Sequence, residues 1–351
     1  MADYISFQPS DHFTPKLYTG NASSSNAITG VGFQPDWVWI KGRTIAESHT
    51  IYDVVRGAAN HISSNANVAE SSSYPLTSFD SDGFTIGTSD GSVNGSYNYT
   101  AWNWKANGTP SSNSNGDLTS SVSVNSTTGI SIGTYTSDIT GVGSKTVGHG
   151  LGKTPKLIIT KNRNQSGQRW GVQAPGLLSS NYILELNTTA AQTNMSGNGS
   201  LTTVNSTVFS VNYADGIGNA TGSGNYIFYA FAQRKGFSRI GTYTGNYNSN
   251  GPFLYCGFKP ALFVVKRYDS SGEYWNVLDS KRNPENPADD FLYWSESSAE
   301  GVKSQKIDFV SNGVKIRGTD GAFNASGGSY LYMALAEEPL VSSNEIAATA
   351  R

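Results

Sequence analysis

The chain has 351 residues, with 24 Lys and Arg against 26 Asp and Glu, for a formal net charge of −2. Without a clustered positive field it is not expected to bind nucleic acid, and its single cysteine, Cys256, allows neither an internal disulfide nor a cysteine-based zinc site. Charged residues are scarce at 14%, but aromatics reach 12%, too many for a disordered chain, so a folded, strand-rich protein kept soluble by hydroxyls and amides is predicted.

The first residues, Met1 to Ser6, carry neither a basic start nor an apolar run, so no signal peptide is expected. No stretch approaches the roughly 18 apolar residues of a membrane span, and no membrane insertion is expected. Residues 1–15 read as an N-terminal anchoring arm, because chain ends are free to dock on another subunit. A first unit is placed at 16–107. Its apolar run Trp37-Val38-Trp39-Ile40 has no polar face, which predicts a central strand covered on both sides. Pro35 stands just before it, where a missing N–H costs no ladder bond. Ile51, Val54, Val55 and Ala58 have helical spacing, but Gly and Pro interrupt the matching segments elsewhere, so strand is preferred. Ser81-Asp82-Gly83-Phe84 reads as a hairpin turn, since Asp-Gly supplies the positive φ that such turns need. Residues 108–119, rich in Gly, Ser and Asn, read as a flexible linker. A second unit follows at 120–236 and a third at 237–338, the latter with a turn at Ser311-Asn312-Gly313-Val314. Residues 339–351 form a C-terminal tail.

The three units repeat one pattern. Pro35, Pro155 and Pro260 each precede an apolar run that ends in Lys41, Lys161 and Lys266, six residues on in every case. A Tyr-Thr strand comes before each (Tyr18, Tyr135, Tyr243), and a closing apolar strand comes after (from Tyr99, Tyr226 and Tyr330). Short strands with turn signals every 8–12 residues indicate β-sandwiches. The expected fold is all-β: three tandem, jelly-roll-like sandwiches of antiparallel strands.

The motifs Tyr18-Thr19-Gly20-Asn21, Gly30 to Lys41, Leu76 to Phe84, Ala101 to Ala106, Val124 to Ile132 and Gly148 to Pro155 carry a resemblance. The chain resembles the tandem β-domain virion structural proteins, often called tail-fibre-like, of tailed bacteriophages of marine bacteria and cyanobacteria. The resemblance covers roughly residues 5–338 and implies a component on the outside of a phage particle, arranged as a homotrimer. Its motif residues look like strand and turn residues, so no functional residue is carried over.

The residues predict binding rather than catalysis. Cys256 is expected to be a small buried hydrophobe. His149, in Gly148-His149-Gly150, is expected in a turn and not in a phosphate loop. His49 and His61 are weighed as a metal pair, and Asp80 with Asp82 as a calcium loop; plain strand and turn roles are preferred. Asp289 and Asp290, with Glu285, Glu296 and Glu300, lack a facing acid for glycosidase chemistry. No catalytic residue, cofactor or metal is expected. The three lysines read as strand-end charges with stems over the core edge, or as salt bridges to a neighbouring unit. Trp37, Trp39, Trp102 and Trp104 are expected in the core. Ligand candidates are placed where the repeats differ, in loops 65–75, 187–203 and 280–300, with Tyr74 and Trp294 as the named residues. The expected function is a tail-associated fibre or receptor-binding subunit that contacts a glycan or protein of the host surface. It would join other virion proteins through the N-terminal arm. The alternative is a head-decoration or tail-shell subunit that stabilises the particle.

Overall fold

The computed structural model describes residues 7–139, 143–195, 202–212 and 224–339. Among them, a 3-10 turn at Pro9–Asp11 and a four-residue helix at Gly321–Asn324 are the only helical elements, and the fold is all-β. One four-strand order occurs three times. Phe13–Thr19, Asn98–Trp104, Trp37–Gly42 and Thr50–Asp53 lie side by side in that order. Ile130–Ser137, Gly224–Phe231, Leu157–Asn162 and Gly171–Gln173 repeat it, as do Ser238–Thr244, Ser329–Pro339, Phe258–Arg267 and Asn276–Asp279. All of these pairings are antiparallel.

A second layer covers one face of each set. It is Asn26–Thr29, Gly83–Ile86 and Leu76–Asp80 in the first segment, and Ser144–Gly148 with Val208–Asn212 in the second. In the third, Asn250–Tyr255, Gly313–Arg317, Gly301–Val310 and Ala288–Tyr293 continue the same sheet and fold over it.

The period of two explains the two-sided apolar strands. Val38, Ile40, Tyr99 and Ala101 point to the first segment's own core, against Ile28, Phe84 and Ile86. Their neighbours Trp37, Trp39, Trp102 and Trp104 point the other way, into a core shared by all three segments. Ile159 and Tyr229 enter it from the second segment, and Val264, Trp294 and Leu331 from the third. Trp37 stacks on Trp104 at 4.0 Å and on Tyr229 at 4.2 Å, and Trp39 stacks on Trp294 at 4.2 Å. Truncating such a ring to Ala costs roughly 3–5 kcal/mol, so this centre is a main source of stability.

Three expectations are corrected. The linker is not one: Ser111–Asn113 is the edge strand on Ser120–Asn125, and Leu118 is buried. A short polar edge strand has a linker's composition because one partner and solvent satisfy it. The N-terminal arm is shorter than drawn, since a strand already begins at Phe13. Ahead of it, the Phe7 ring packs on His12 at 4.9 Å and on Phe237 at 5.6 Å. Pro260 lies inside its strand rather than before it, at a register shift that accommodates the missing N–H. The hairpin turns at 81–82 and 311–312 form as expected, and residues 51–58 are strand followed by turn. Residues 1–6 and 340–351 lie outside the described residues.

Candidate functional site

Trp294 is not available to a ligand. It is 1% exposed and lies in the shared core, so its placement in a recognition loop is corrected. Tyr74 is half-buried: its ring lies 5.0 Å from His61, and its carbonyl accepts the Tyr52 hydroxyl. The two candidates are on different segments and the fold does not bring them into one site. Cys256 is buried, and burial pushes its thiol up to about 12, as suits a small core residue. His49 uses both ring nitrogens. Trp39 Nε1 donates to Nδ1 at 2.8 Å, which places the proton on Nε2, and that nitrogen donates to the Tyr293 carbonyl at 2.8 Å. Burial and the nearby Lys41 charge hold His49 well below the usual histidine range. Asp82 accepts from the backbone of Gly30 and Gly32 at 2.9 and 2.7 Å, a turn role. Among the described residues, no group of three or more His, Cys, Asp or Glu is placed to hold a metal. No helix there is long and apolar enough to cross a membrane.

The polar groups that the sequence left open meet at the seams between segments. Strand register makes His49, Trp170 and Trp275 equivalent, each two residues before the matched Ile51, Val172 and Val277. Each reaches a carbonyl of another segment: His49 to Tyr293, Trp170 to Ser63 at 2.9 Å, and Trp275 to Glu185 at 2.9 Å. The first segment thus holds the third, the second holds the first and the third holds the second, in a closed ring.

Two seams add a buried charge cluster. Between segments one and two, Arg56 donates to Asp53 at 2.7 Å and to Glu70 at 3.0 Å. From the second segment, Arg163 donates to Glu70 at 2.8 Å, and the Tyr229 hydroxyl donates to Asp53 at 2.8 Å. Between three and one, Arg282 meets Asp279 at 2.6 Å and Glu300 at 3.0 Å, while Arg43 donates to Glu300 at 2.6 Å and Trp102 to Asp279 at 3.0 Å. Burial pushes the Glu70 carboxyl up, but the Arg163 hydrogen bond and the Arg56 charge more than reverse this, and its pKa is lowered. Among the described residues, the third seam has no such cluster. Counting from the paired strands places Ala174 and Leu177 where Asp53 and Arg56 stand, and Tyr268 and Met333 where Arg163 and Tyr229 stand, and by its backbone bond Gln192 takes the place of Glu70. Gln192 keeps only the backbone bond, to Tyr268 at 2.8 Å; Glu70 to Arg163 and Glu300 to Arg43 make its counterparts. The charges are kept or lost as a set, which follows from the cost of leaving one buried charge unpaired.

Lys41, Lys161 and Lys266 take neither role expected of them. Each is buried, with Nζ donating to backbone carbonyls at the strand end or in the loop that follows: Gly42 at 2.9 Å, Gln168 at 2.6 Å, and Glu273. Burial lowers each to about 8.

Two surface features remain. One is an open groove of about 260 Å³ in the second segment, lined by hydroxyls such as Ser121, Thr134 and Thr136, with Arg163 and Asn225. The other is the outer face of Asn250–Tyr255, where Phe253 and Tyr255 are exposed. Comparison with known families adds one match: residues 8–339 fit a family described as a domain of unknown function, DUF7483. The chain belongs to that family. The span matched by the DUF7483 model takes in all three segments and all three seams, so the family is defined over the whole ring and not over one repeat. No curated protein and no solved structure matches the chain significantly.

Proposed function

We propose that this DUF7483 protein is a structural, surface-binding subunit of a tailed-phage virion, seated on the tail and contacting the host cell. The observation that supports this reading best is the closed ring of three segments. All seven tryptophans lie in the shared core, and His49 and the two buried arginine clusters hold the segments together, which suits a rigid platform more than a reaction centre. The resemblance of the strand and turn motifs to tail-fibre-like virion proteins supplies the phage setting. The N-terminal residues are the proposed attachment to other virion proteins. The chain already closes a three-part core by itself, so a homotrimer of it would serve attachment geometry and not folding.

Antibody labelling of particles in electron microscopy tests the reading. Label is expected at the tail end, and soluble protein is expected to compete with phage for adsorption. Label spread over the head, with no competition, would overturn host contact and leave decoration of the capsid.

A further inference from the structure

Six large hydrophobic side chains are exposed among the described residues, and three of them fall between positions 247 and 255: Tyr247 at 63%, Phe253 at 45% and Tyr255 at 57%. Phe253 and Tyr255 share one face of their strand, with buried Leu254 between them on the other. At about 3.4 Å per residue their attachment points are about 7 Å apart.

The fold does not require these rings. Tyr255 lies opposite Gly313 and Phe253 opposite Lys315. At the matching places, the first segment has Thr29 opposite Gly83 and Ala27 opposite Thr85. The second has Gly148 opposite Val208 and Thr146 opposite Ser210. Tyr247 stands at φ 53, and the matching residue after Gly20-Asn21 is Ala22 at φ 52. Two segments build the same strand with small residues, and the first builds the same turn with one, whereas the third presents three aromatics to solvent.

The footprint and surroundings decide what fits. An aromatic side chain contributes roughly 150–250 Å², so the exposed parts of the three come to about 300 Å². That is well below the roughly 800 Å² per partner of a stable protein interface. Pairing of a further strand is blocked, since Pro252 lacks an N–H and the register shifts between Asn250 and Phe253. The turn beside the rings, Asn246 to Asn250, is exposed and rich in amides, and the Asn246 and Asn248 side chains fix it by accepting from Asn248 and Asn250 backbone N–H groups. Aromatic faces for the C–H side of a pyranose, next to amides for its hydroxyls, are the complement of a sugar.

We infer that the Phe253–Tyr255 face, with Tyr247 in the turn that leads into its strand, binds a saccharide chain. The inference deepens the host-contact reading and rests on it only for the source of the saccharide, the bacterial surface. The test is affinity electrophoresis of the full chain through gels containing dextran, mannan, xylan, alginate or purified bacterial O-polysaccharides. At least one is expected to retard the protein, and Phe253→Ala with Tyr255→Ala is expected to weaken that binding at least tenfold. The melting temperature should hold, because both rings face solvent. Retardation by none of the panel, or equal retardation of the double variant, would overturn the inference. If the wild type competes for adsorption yet no polysaccharide retards it, the inference falls and the host-contact reading stands. If the double variant loses retardation while label lies on the head, the inference stands and that reading falls.

Discussion

The three buried lysines show how a residue can be conspicuous in a sequence while its role stays hidden. Their recurrence six residues after a proline is plain, but their partners are backbone carbonyls, which leave no trace in side-chain identity. The shift has a consequence for stability. Lys161 is lowered to about 8 by burial alone, whereas an unfolded lysine titrates near 10.4. Between these values the unfolded chain holds a proton that the folded chain has released, so this group's contribution to stability rises with pH. Below about 8 both states are protonated and the cost of burying the charge is fully present. Lys41 and Lys266, also lowered to about 8, act in the same sense. The melting temperature is therefore expected to rise between pH 8 and about 9.5. Above about 10 the raised tyrosines, Tyr229 among them, reverse the trend, because the unfolded chain ionises first. Cys256, pushed up to about 12, opposes the lysines from about pH 8.5, so Lys161→Met should remove at least a third of the net rise. A wild-type profile flat from pH 8 to 9.5 would contradict the assignment.

At the scale of elements, the seams were the part least legible in sequence. Asp53-Val54-Val55-Arg56 and Asp279-Ser280-Lys281-Arg282 share a spacing, but Ala174 and Leu177 break it in the second segment, so the spacing is not a mark of the repeat. Loops 65–75, 187–203 and 280–300 were read as recognition loops because the repeats diverge there. Glu70, Gln192 and Glu300 show another cause of divergence: each meets a different neighbour and matches its charge. The apolar seam also shows what can replace the charged ones. Arg56→Leu alone leaves Asp53 buried without its main partner and should cost about 3–5 kcal/mol. Adding Asp53→Ala, the residue found at the third seam, and Tyr229→Phe, which removes the hydroxyl but keeps the ring on Trp37, should recover most of that loss. Urea midpoints of the single and triple variants measure it. A triple variant no more stable than Arg56→Leu would show that the loss does not come from stranding the Asp53 charge, and would contradict this account.

For the whole molecule, the sequence made two things readable: three repeats, and strands apolar on both faces. It did not say what covers the second face. A run such as Trp37 to Ile40 records burial without recording the partner, and Trp294, which stacks on Trp39, is 255 residues away along the chain. The answer, one core made by three segments, changes how the protein should unfold. Separate sandwiches on a flexible linker would melt independently, each with its own transition. Here each segment alone would expose its half of the shared core, including four tryptophans in the first segment, and would also lose its ring contacts to both neighbours. Exposure of that area makes an isolated folded segment costly relative to the intact ring. Unfolding is therefore expected as a single transition in scanning calorimetry, with agreement between the calorimetric and van't Hoff enthalpies. Trp39→Ala, which removes both the stack on Trp294 and the hydrogen bond to His49, should lower that one transition by several degrees without splitting it. A scan in which the variant moves one peak and leaves others in place would mean that the segments are stable alone. The ring would then be an assembly of finished domains, and not the folding unit that the family's full-length span implies.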